Sequence, residues 1–230
     1  MSVRRRVGVQ VTSVFVSVFV AAGCAGNVSL SGDGPSASGK SSKTDKKDGK
    51  GKEGTARKEL AGLKEAKPDS MSGYSRDEFG PAWKDVDHNG CDTRNDILAR
   101  DLDAVKKRNK CVVIAGTLDD PYTGKQITFA KAHATEVQID HIFPLALAWR
   151  MGADHWTEEK RAELANDRDN LLAVWGRPNA QKSDKGPAEW QPQKSFQCTY
   201  AEKFVAVADE YHLAVTQADH GELGDMLDTC

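Results

Sequence analysis

Hydrophobic positions between residues 70 and 230 recur at both helical and extended spacing. Near-helical spacing over residues 96–107 and, most strongly, over 200–211 predicts a helix in each segment. Shorter helices are predicted over residues 145–151 and from Thr157, a residue type that caps helix N-termini.

Short apolar runs between turn residues predict strands. They cover residues 111–115, 126–129, 137–139 and 171–174. The segment Asp-Asp-Pro-Tyr-Thr-Gly over residues 119–124 predicts a turn before the second of these strands. The pattern as a whole predicts an α+β domain with little sheet.

The N-terminal third has no such pattern. Three arginines precede an apolar stretch over residues 7–23, which is typical of an export signal, so residues 1–23 are predicted to be a signal peptide. Residues 24–69 are dominated by Gly, Ser, Lys and Asp and are predicted to form a disordered tether. Residues 70–230 are then one folded domain.

The cysteines are consistent with export. Ala-Ala-Gly before Cys24 resembles a bacterial lipobox, in which Cys24 is acylated; release by an ordinary signal peptidase is the alternative. The other four cysteines allow three pairings, of which Cys91 with Cys111 and Cys198 with Cys230 is favoured because each pair brackets one local segment. Their spacing is not that of a structural zinc site.

Charge divides the chain unevenly. From residue 24 to 67 there are ten basic and six acidic residues, a net charge of +4, whereas residues 68–230 carry nineteen basic and twenty-eight acidic residues, a net charge of −9. An acidic domain counts against binding of a polyanion. A bound cation and a local basic group, formed by Arg177, Lys182, Lys185 and Lys194, would offset that charge.

Candidate chemistry begins where the strand predicted over residues 137–139 ends. Asp140 and His141 follow it directly, Asn170 precedes the apolar run 171–174, and Asn179 follows that run. Hydrolysis of a phosphodiester needs a base that activates water and a hard cation that offsets charge on the phosphate and the leaving oxygen. These residue types suit both tasks.

The ordered set resembles the HNH endonuclease family, and within it the secreted bacterial branch in which Asn is the last motif residue. The resemblance covers residues 74–230. It implies a ββα-metal core of two strands and a helix around one divalent ion, with His141 as general base, Asp140 and Asn179 as metal ligands, and Asn170 orienting the loop or the histidine. Such an oxygen-rich set favours Mg²⁺ or Mn²⁺. It also implies products with 5′-phosphate and 3′-hydroxyl ends.

Three basic residues are expected to contact the substrate. Lys182 and Lys185 follow Asn179 and are expected to face the nucleic acid, with an ordinary solvated surface as the alternative. Arg94 is expected to reach a phosphate or to pair with Asp92.

A second metal site is suggested upstream of Arg94. Asp85, Asp87, Asn89 and Asp96 fit the spacing of a calcium-binding loop, except that Asp96 replaces the usual final Glu. The alternative is an acidic turn that leads into the helix predicted from residue 96.

The sequence therefore predicts an exported, metal-dependent endonuclease of weak specificity that acts on DNA, with RNA left open, at the cell surface as a lipoprotein or outside the cell. No obligate protein partner is evident. The alternative is a non-catalytic, calcium-binding surface lipoprotein held to the membrane through Cys24. A toxin with a dedicated inhibitor is a third hypothesis.

Overall fold

The computed structural model describes residues 45–230, with side chains described from Gly54 onward. The predicted signal peptide, Cys24 and the tether up to residue 44 lie outside the described residues. The described part is an α+β domain, as predicted. None of its helices combines the length and the apolar character that crossing a membrane requires. Its helices and strands, in chain order, are α1 (Asp45–Gly62), α2 (Thr93–Asp101), β1 (Asp103–Lys107), β2 (Val113–Asp119), β3 (Gln126–Ala130), β4 (Val137–His141), α3 (Leu145–Arg150), α4 (Glu158–Asn166), β5 (Leu171–Trp175), α5 (Gly176–Lys182), α6 (Lys194–Tyr211) and α7 (Gln217–Leu227).

Helix α1 corrects the predicted tether over residues 24–69. Ala56 and Leu60 lie about one helical turn apart and are only 3% and 6% exposed. Their face packs against α6 and α7 and joins the main hydrophobic core. The Gly- and Lys-rich composition hides this short apolar stripe, so the folded part begins upstream of the predicted boundary at residue 70.

Helix α2 corrects the helix predicted over residues 96–107. The backbone becomes extended at Leu102, and the second half of that segment is β1, which pairs antiparallel with β2. Gly116 on β2 makes room for Leu102, since a Cβ at Gly116 would lie 2.8 Å from Leu102 Cδ2. Pairing with a neighbouring strand thus outweighs the helical spacing of the apolar residues.

Within residues 45–230 the strands form two antiparallel sheets. One has the strand order β1-β2-β3, and the other contains β4 and β5, paired from Val137 opposite Trp175 to His141 opposite Leu171. The strands predicted over residues 126–129, 137–139 and 171–174 are confirmed. The strand predicted over 111–115 begins two residues later, at Val113. The predicted turn is confirmed as the β2–β3 connection, in which Gly124 N donates to Asp120 O at 2.8 Å.

The remaining helices follow the sequence closely. Helix α4 starts after Thr157, whose hydroxyl accepts a hydrogen bond from Lys160 N at 3.4 Å. Helix α6 buries Tyr200 and Phe204 in the main core, beside α1, α3 and α7. A smaller core cluster lies between α2 and the two sheets.

Two disulfides tie these parts together. Cys91 is bonded to Cys111, which joins the segment before α2 to the segment before β2. Cys198 on α6 is bonded to Cys230, which fixes the C-terminus after α7. This is the pairing that the sequence favoured.

Candidate active site

Strand β4 and helix α5 each present two polar side chains to the other element. Gln138 and Asp140, two residues apart, share one face of the strand. Asn179 and Lys182, three residues apart, share one face of the helix. Asn179 Nδ2 donates to Gln138 Oε1 at 2.9 Å, and Lys182 Nζ lies 2.8 Å from Asp140 Oδ2. Together the two contacts hold α5 in one register on β4.

Gly176 lets α5 begin directly against β4. Its N–H donates to the carbonyl oxygen of Glu136 at 2.9 Å, and a Cβ at this position would lie 2.5 Å from the carbonyl oxygen of Thr135. Real Cβ atoms essentially never approach a backbone atom so closely. A larger residue would therefore move the helix away from the strand and separate Asn179 from Asp140.

Asp140 is buried, and one of its carboxylate oxygens is held from two sides. Tyr122 Oη donates to Oδ2 at 2.5 Å, and Lys182 Nζ contacts the same oxygen. Burial raises the pKa of Tyr122 well above its usual range, and the Asp140 carboxylate adds to the rise, so the phenol stays a donor. Neither contact uses Oδ1, the oxygen through which Asp140 can bind a ligand.

His141 ends β4 as a neutral imidazole. The pKa of His141 is lowered to about 4, chiefly by burial and to a smaller extent by the positive charges of Arg76 and Lys182, while the Ala165 carbonyl and Asp140 act in the opposite direction. Nε2 lies 2.9 Å from the carbonyl oxygen of Ala165 and must donate to it, because a carbonyl only accepts. Nδ1 therefore carries the lone pair and can accept a proton.

Asn170 acts on the loop that follows His141. It is fully buried; its Oδ1 accepts from Phe143 N at 2.8 Å, and its Nδ2 donates to the carbonyl oxygens of Phe143 and Leu164 at 3.3 Å. Leu164 precedes Ala165, which orients His141. Asn170 thus links the loop after His141 to α4. Its expected role in orienting the loop or the histidine stays a prediction.

Asp140, His141 and Asn179 line one cleft of about 430 Å³. Arg76, on a 3-10 turn over Arg76–Phe79, lines the same cleft and is exposed. Within residues 54–230, none of the ion pairs found includes Arg76. Arg76 was not among the predicted site residues, because no local pattern distinguishes it from any other surface arginine. Only folding brings its turn to the end of β4.

The predicted substrate-binding residues are placed differently from one another. Lys182 is 0% exposed, and its ammonium donates to the carbonyl oxygen of His141 as well as contacting Asp140, so the expectation of a substrate-facing Lys182 is corrected. Lys185 is half-buried, is not among the residues that line the cleft, and donates to Gln181 O at 2.8 Å. Arg94 does not reach the active cleft: its guanidinium donates to the carbonyl oxygens of Ala134 and Val137, at 3.3 and 3.1 Å.

In the candidate calcium loop, the carboxylates accept hydrogen bonds from Asn89 of the same loop. Asn89 Nδ2 donates to Asp87 Oδ2 at 3.0 Å and to Asp96 Oδ2 at 3.1 Å, and Asn89 N donates to Asp85 Oδ1 at 3.2 Å. Asn89 Oδ1 accepts from Cys91 N. In this conformation the Asn89 oxygen faces the backbone and not the carboxylates.

The cleft of this α+β domain thus brings together a neutral imidazole, which can accept a proton, and carboxylate and amide oxygens, which can bind a cation. Residues 92–226 match the family described as GmrSD restriction endonucleases, C-terminal domain. This range is more than half of the chain and includes β4, β5 and α5, so the chain belongs to that family. The family is one of endonucleases, hydrolases whose substrate is nucleic acid.

One relative extends the likeness beyond the family range. A protein of Arthroderma benhamiae that is named an uncharacterized secreted protein is 38% identical over 179 residues, which cover 76% of this chain and 85% of the relative. No solved structure matches the chain.

Proposed function

We propose that this protein is an exported, metal-dependent endonuclease that hydrolyses phosphodiester bonds of DNA, with RNA as a second substrate to be tested. The observation that carries the proposal is the cleft in which β4 presents Asp140 and His141 opposite Asn179 on α5. Membership of an endonuclease family supports it. We infer that β4, β5 and α5 are the two strands and the helix of a ββα-metal core.

His141 is the general base in this proposal. Its Nδ1 takes a proton from water while Nε2–H stays bonded to the Ala165 carbonyl, which keeps the ring orientation fixed. Because the pKa of His141 is about 4, the imidazole is already unprotonated at neutral pH. Arg76 supplies an exposed cation where the phosphate enters the cleft.

The donor atoms in the cleft fit a hard divalent cation. Asp140 offers Oδ1, since its other oxygen is held by Tyr122 and Lys182, and Asn179 offers Oδ1, since Gln138 holds its Nδ2. Carboxylate and amide oxygens favour Mg²⁺ or Mn²⁺ over softer metals. Such an ion, when bound, offsets charge on the phosphate and on the leaving 3′ oxygen.

Two observations support export. The relative from Arthroderma benhamiae is named a secreted protein, and the described domain contains two disulfides, which persist in oxidising compartments. Acylation of Cys24, and with it attachment to a membrane, remains a proposal that mass analysis of the mature N-terminus would test.

The test of the enzyme is digestion of plasmid DNA with Mg²⁺, Mn²⁺ or EDTA. The wild type is expected to cut with either ion and not with EDTA, and His141→Ala is expected to cut at least about 100-fold more slowly. His133→Ala, at an exposed histidine outside the cleft, is the matched control and should match the wild type. No cutting by the wild type with any ion would contradict the proposal and favour the non-catalytic calcium-binding alternative.

Asn179→Ala tests the metal ligands separately. The variant is expected to need at least about tenfold more Mg²⁺ for half-maximal cutting, with little change in melting temperature. An unchanged Mg²⁺ requirement would remove Asn179 from the ligand set.

We also propose, independently of the nuclease, that the Asp85–Asp96 loop binds Ca²⁺ after Asn89 turns its oxygen toward the carboxylates. Ca²⁺ should then raise the melting temperature of the wild type more than that of Asp87→Asn. If Ca²⁺ raised the melting temperature of the two proteins equally, the segment would be an acidic turn that leads into α2 and not a calcium site.

A further inference from the structure

Two further hollows lie in succession beside the cleft of the proposed active site. Arg76 and His141 border both that cleft and a hollow of about 150 Å³. Trp83 borders this second hollow and also a third, of about 320 Å³. Because neighbouring hollows share these side chains, the three adjoin. We call the second and third hollows, with Trp83 between them, the Trp83 groove.

Trp83 is held in a backbone conformation that bulky residues rarely adopt. Its φ is +60°, in the left-handed region that costs an ordinary residue about 1–2 kcal/mol. Thr93 holds this conformation: its N–H donates to the Trp83 carbonyl at 3.4 Å, and its hydroxyl donates to the carbonyl of Lys84. Strain that the surroundings maintain in this way is concentrated at binding and active sites.

The third hollow combines an apolar lining with positive charge. Leu98, Val113 and Phe129 contribute apolar surface, and part of the indole of Trp83 packs against the core cluster they belong to. The Arg94 guanidinium lies 6.0 Å from the centre of the Trp83 ring, and the exposed Lys131 lines the same hollow.

Asp92, the acidic residue that lines this hollow, is already engaged. Its two oxygens accept from Asn95 N at 2.8 Å and from Asn95 Nδ2 at 2.7 Å, which caps α2. Hydrogen bonds from neutral donors leave the negative charge of Asp92 in place, so Arg94, Lys131 and Asp92 together give this hollow one net positive charge. An anion with an aromatic part suits such a surface.

We propose that the Trp83 groove binds the nucleic-acid strand next to the scissile phosphate, with an unpaired base stacked on Trp83 and the adjoining phosphates near Arg76, Arg94 and Lys131. This inference rests on the proposed function. The position of the groove beside the active cleft selects the ligand, because a strand cut beside His141 must run along one of the surfaces that border this residue.

Stacking on Trp83 also specifies the form of the substrate. A base inside a duplex has both faces covered by its neighbours, whereas a single-stranded or locally unpaired stretch can offer a face to an indole. Aromatic stacking accepts every base, which agrees with weak sequence preference. A local basic groove also explains how a domain with a net charge of −9 over residues 68–230 holds a polyanion.

The experiment compares two substrates on the full exported chain with Mg²⁺. One is a single-stranded oligodeoxynucleotide, and the other is methyl p-nitrophenyl phosphate, a phosphodiester without a nucleobase. Trp83→Leu is expected to lower kcat/KM for the oligonucleotide about 5- to 100-fold more than for the small diester, mainly through KM. Trp83→Tyr, which keeps an aromatic face, should recover most of the loss, and the wild type should cut single strands faster than duplex.

Matched controls separate stacking and charge from folding. Trp156→Leu removes a half-buried tryptophan that lines none of the three hollows, and it should not change the ratio of the two kcat/KM values. Lys131→Glu should raise KM for the oligonucleotide at low salt, whereas Lys58→Glu on α1 should not. Equal losses on both substrates for Trp83→Leu, or equal cutting of duplex and single strand, would overturn the proposal.

Binding is measured apart from catalysis, as fluorescence anisotropy of a labelled single-stranded oligonucleotide on His141→Ala protein with and without Trp83→Leu. The second substitution should weaken binding about 5- to 100-fold. If the wild type cuts neither substrate but Trp83→Leu still weakens binding of the oligonucleotide, the nuclease proposal is wrong and the binding groove is supported. Equal binding by the two proteins overturns the groove alone.

Discussion

His141 is kept neutral by burial, and this has a consequence for stability. The unfolded chain protonates a histidine near pH 6.5, whereas the folded protein resists protonation until about pH 4. Between these two pH values the unfolded state binds more protons than the folded state, so acid favours unfolding. The contribution of His141 is therefore fully present above pH 6.5 and is lost as pH falls toward 4.

We predict that His141→Gln, which cannot titrate in this range, removes that pH dependence. In urea unfolding with EDTA present, the free energy of unfolding of the wild type relative to His141→Gln should fall by about 2–3 kcal/mol from pH 7 to pH 4.5. EDTA keeps metal binding out of the comparison. A difference between the two proteins that stays constant with pH would show that His141 is not buried as a neutral ring.

At the scale of elements, α5 and β4 are joined through a buried ion pair. Lys182 is 0% exposed, and its ammonium is shared between the Asp140 carboxylate and the His141 carbonyl. Removing one partner of a buried pair leaves the other charge without compensation, which is more costly than losing a surface pair. Tyr122 alone would then support the Asp140 carboxylate.

Lys182→Met should therefore lower the free energy of unfolding by about 3–5 kcal/mol. Adding Asp140→Asn should recover part of this loss, because a neutral amide does not need the ammonium. Lys185→Met, three residues away at a half-buried lysine, should change stability by no more than about 0.5 kcal/mol. Urea unfolding of the four proteins measures this, and similar effects of Lys182→Met and Lys185→Met would contradict the buried position of Lys182.

At the scale of the whole molecule, α1 makes the N-terminal segment part of the core. Beyond the burial of Ala56 and Leu60, the chain after α1 pairs with the segment before α7: Ala66 N donates to Val215 O, and Val215 N donates to Lys64 O, both at 2.9 Å. The domain therefore depends on residues that their composition assigned to a spacer.

Leu60→Ala tests this dependence. Loss of a buried leucine side chain should lower the free energy of unfolding by about 2–4 kcal/mol, whereas Lys58→Ala, at an exposed position on the same helix, should change it by less than about 0.5 kcal/mol. If both substitutions were neutral in urea unfolding, residues 45–62 would be the tether that the sequence predicted.

The sequence predicted most of the elements because their signals are local. Thr157 caps α4 by bonding within its own turn, and the apolar face of α6 is set by spacing alone. The prediction failed at β1 and α1, where the outcome depends on distant partners. Leu102 leaves the helix because β2 offers a strand to pair with, and Leu60 is buried because α6 and α7 offer a surface.

For the site, the sequence by itself determined which groups are present: an Asp-His pair at a strand end, Asn170, Asn179 and the nearby lysines. Residue type and order along the chain carry that information. Only the tertiary structure decided that Lys182 supports Asp140 from inside the protein, that Tyr122 holds the same oxygen, and that Arg76 and the Trp83 groove border the cleft. The physical reason is that burial and charge pairing are properties of surfaces brought together from distant segments, and those surfaces exist only once the chain has folded.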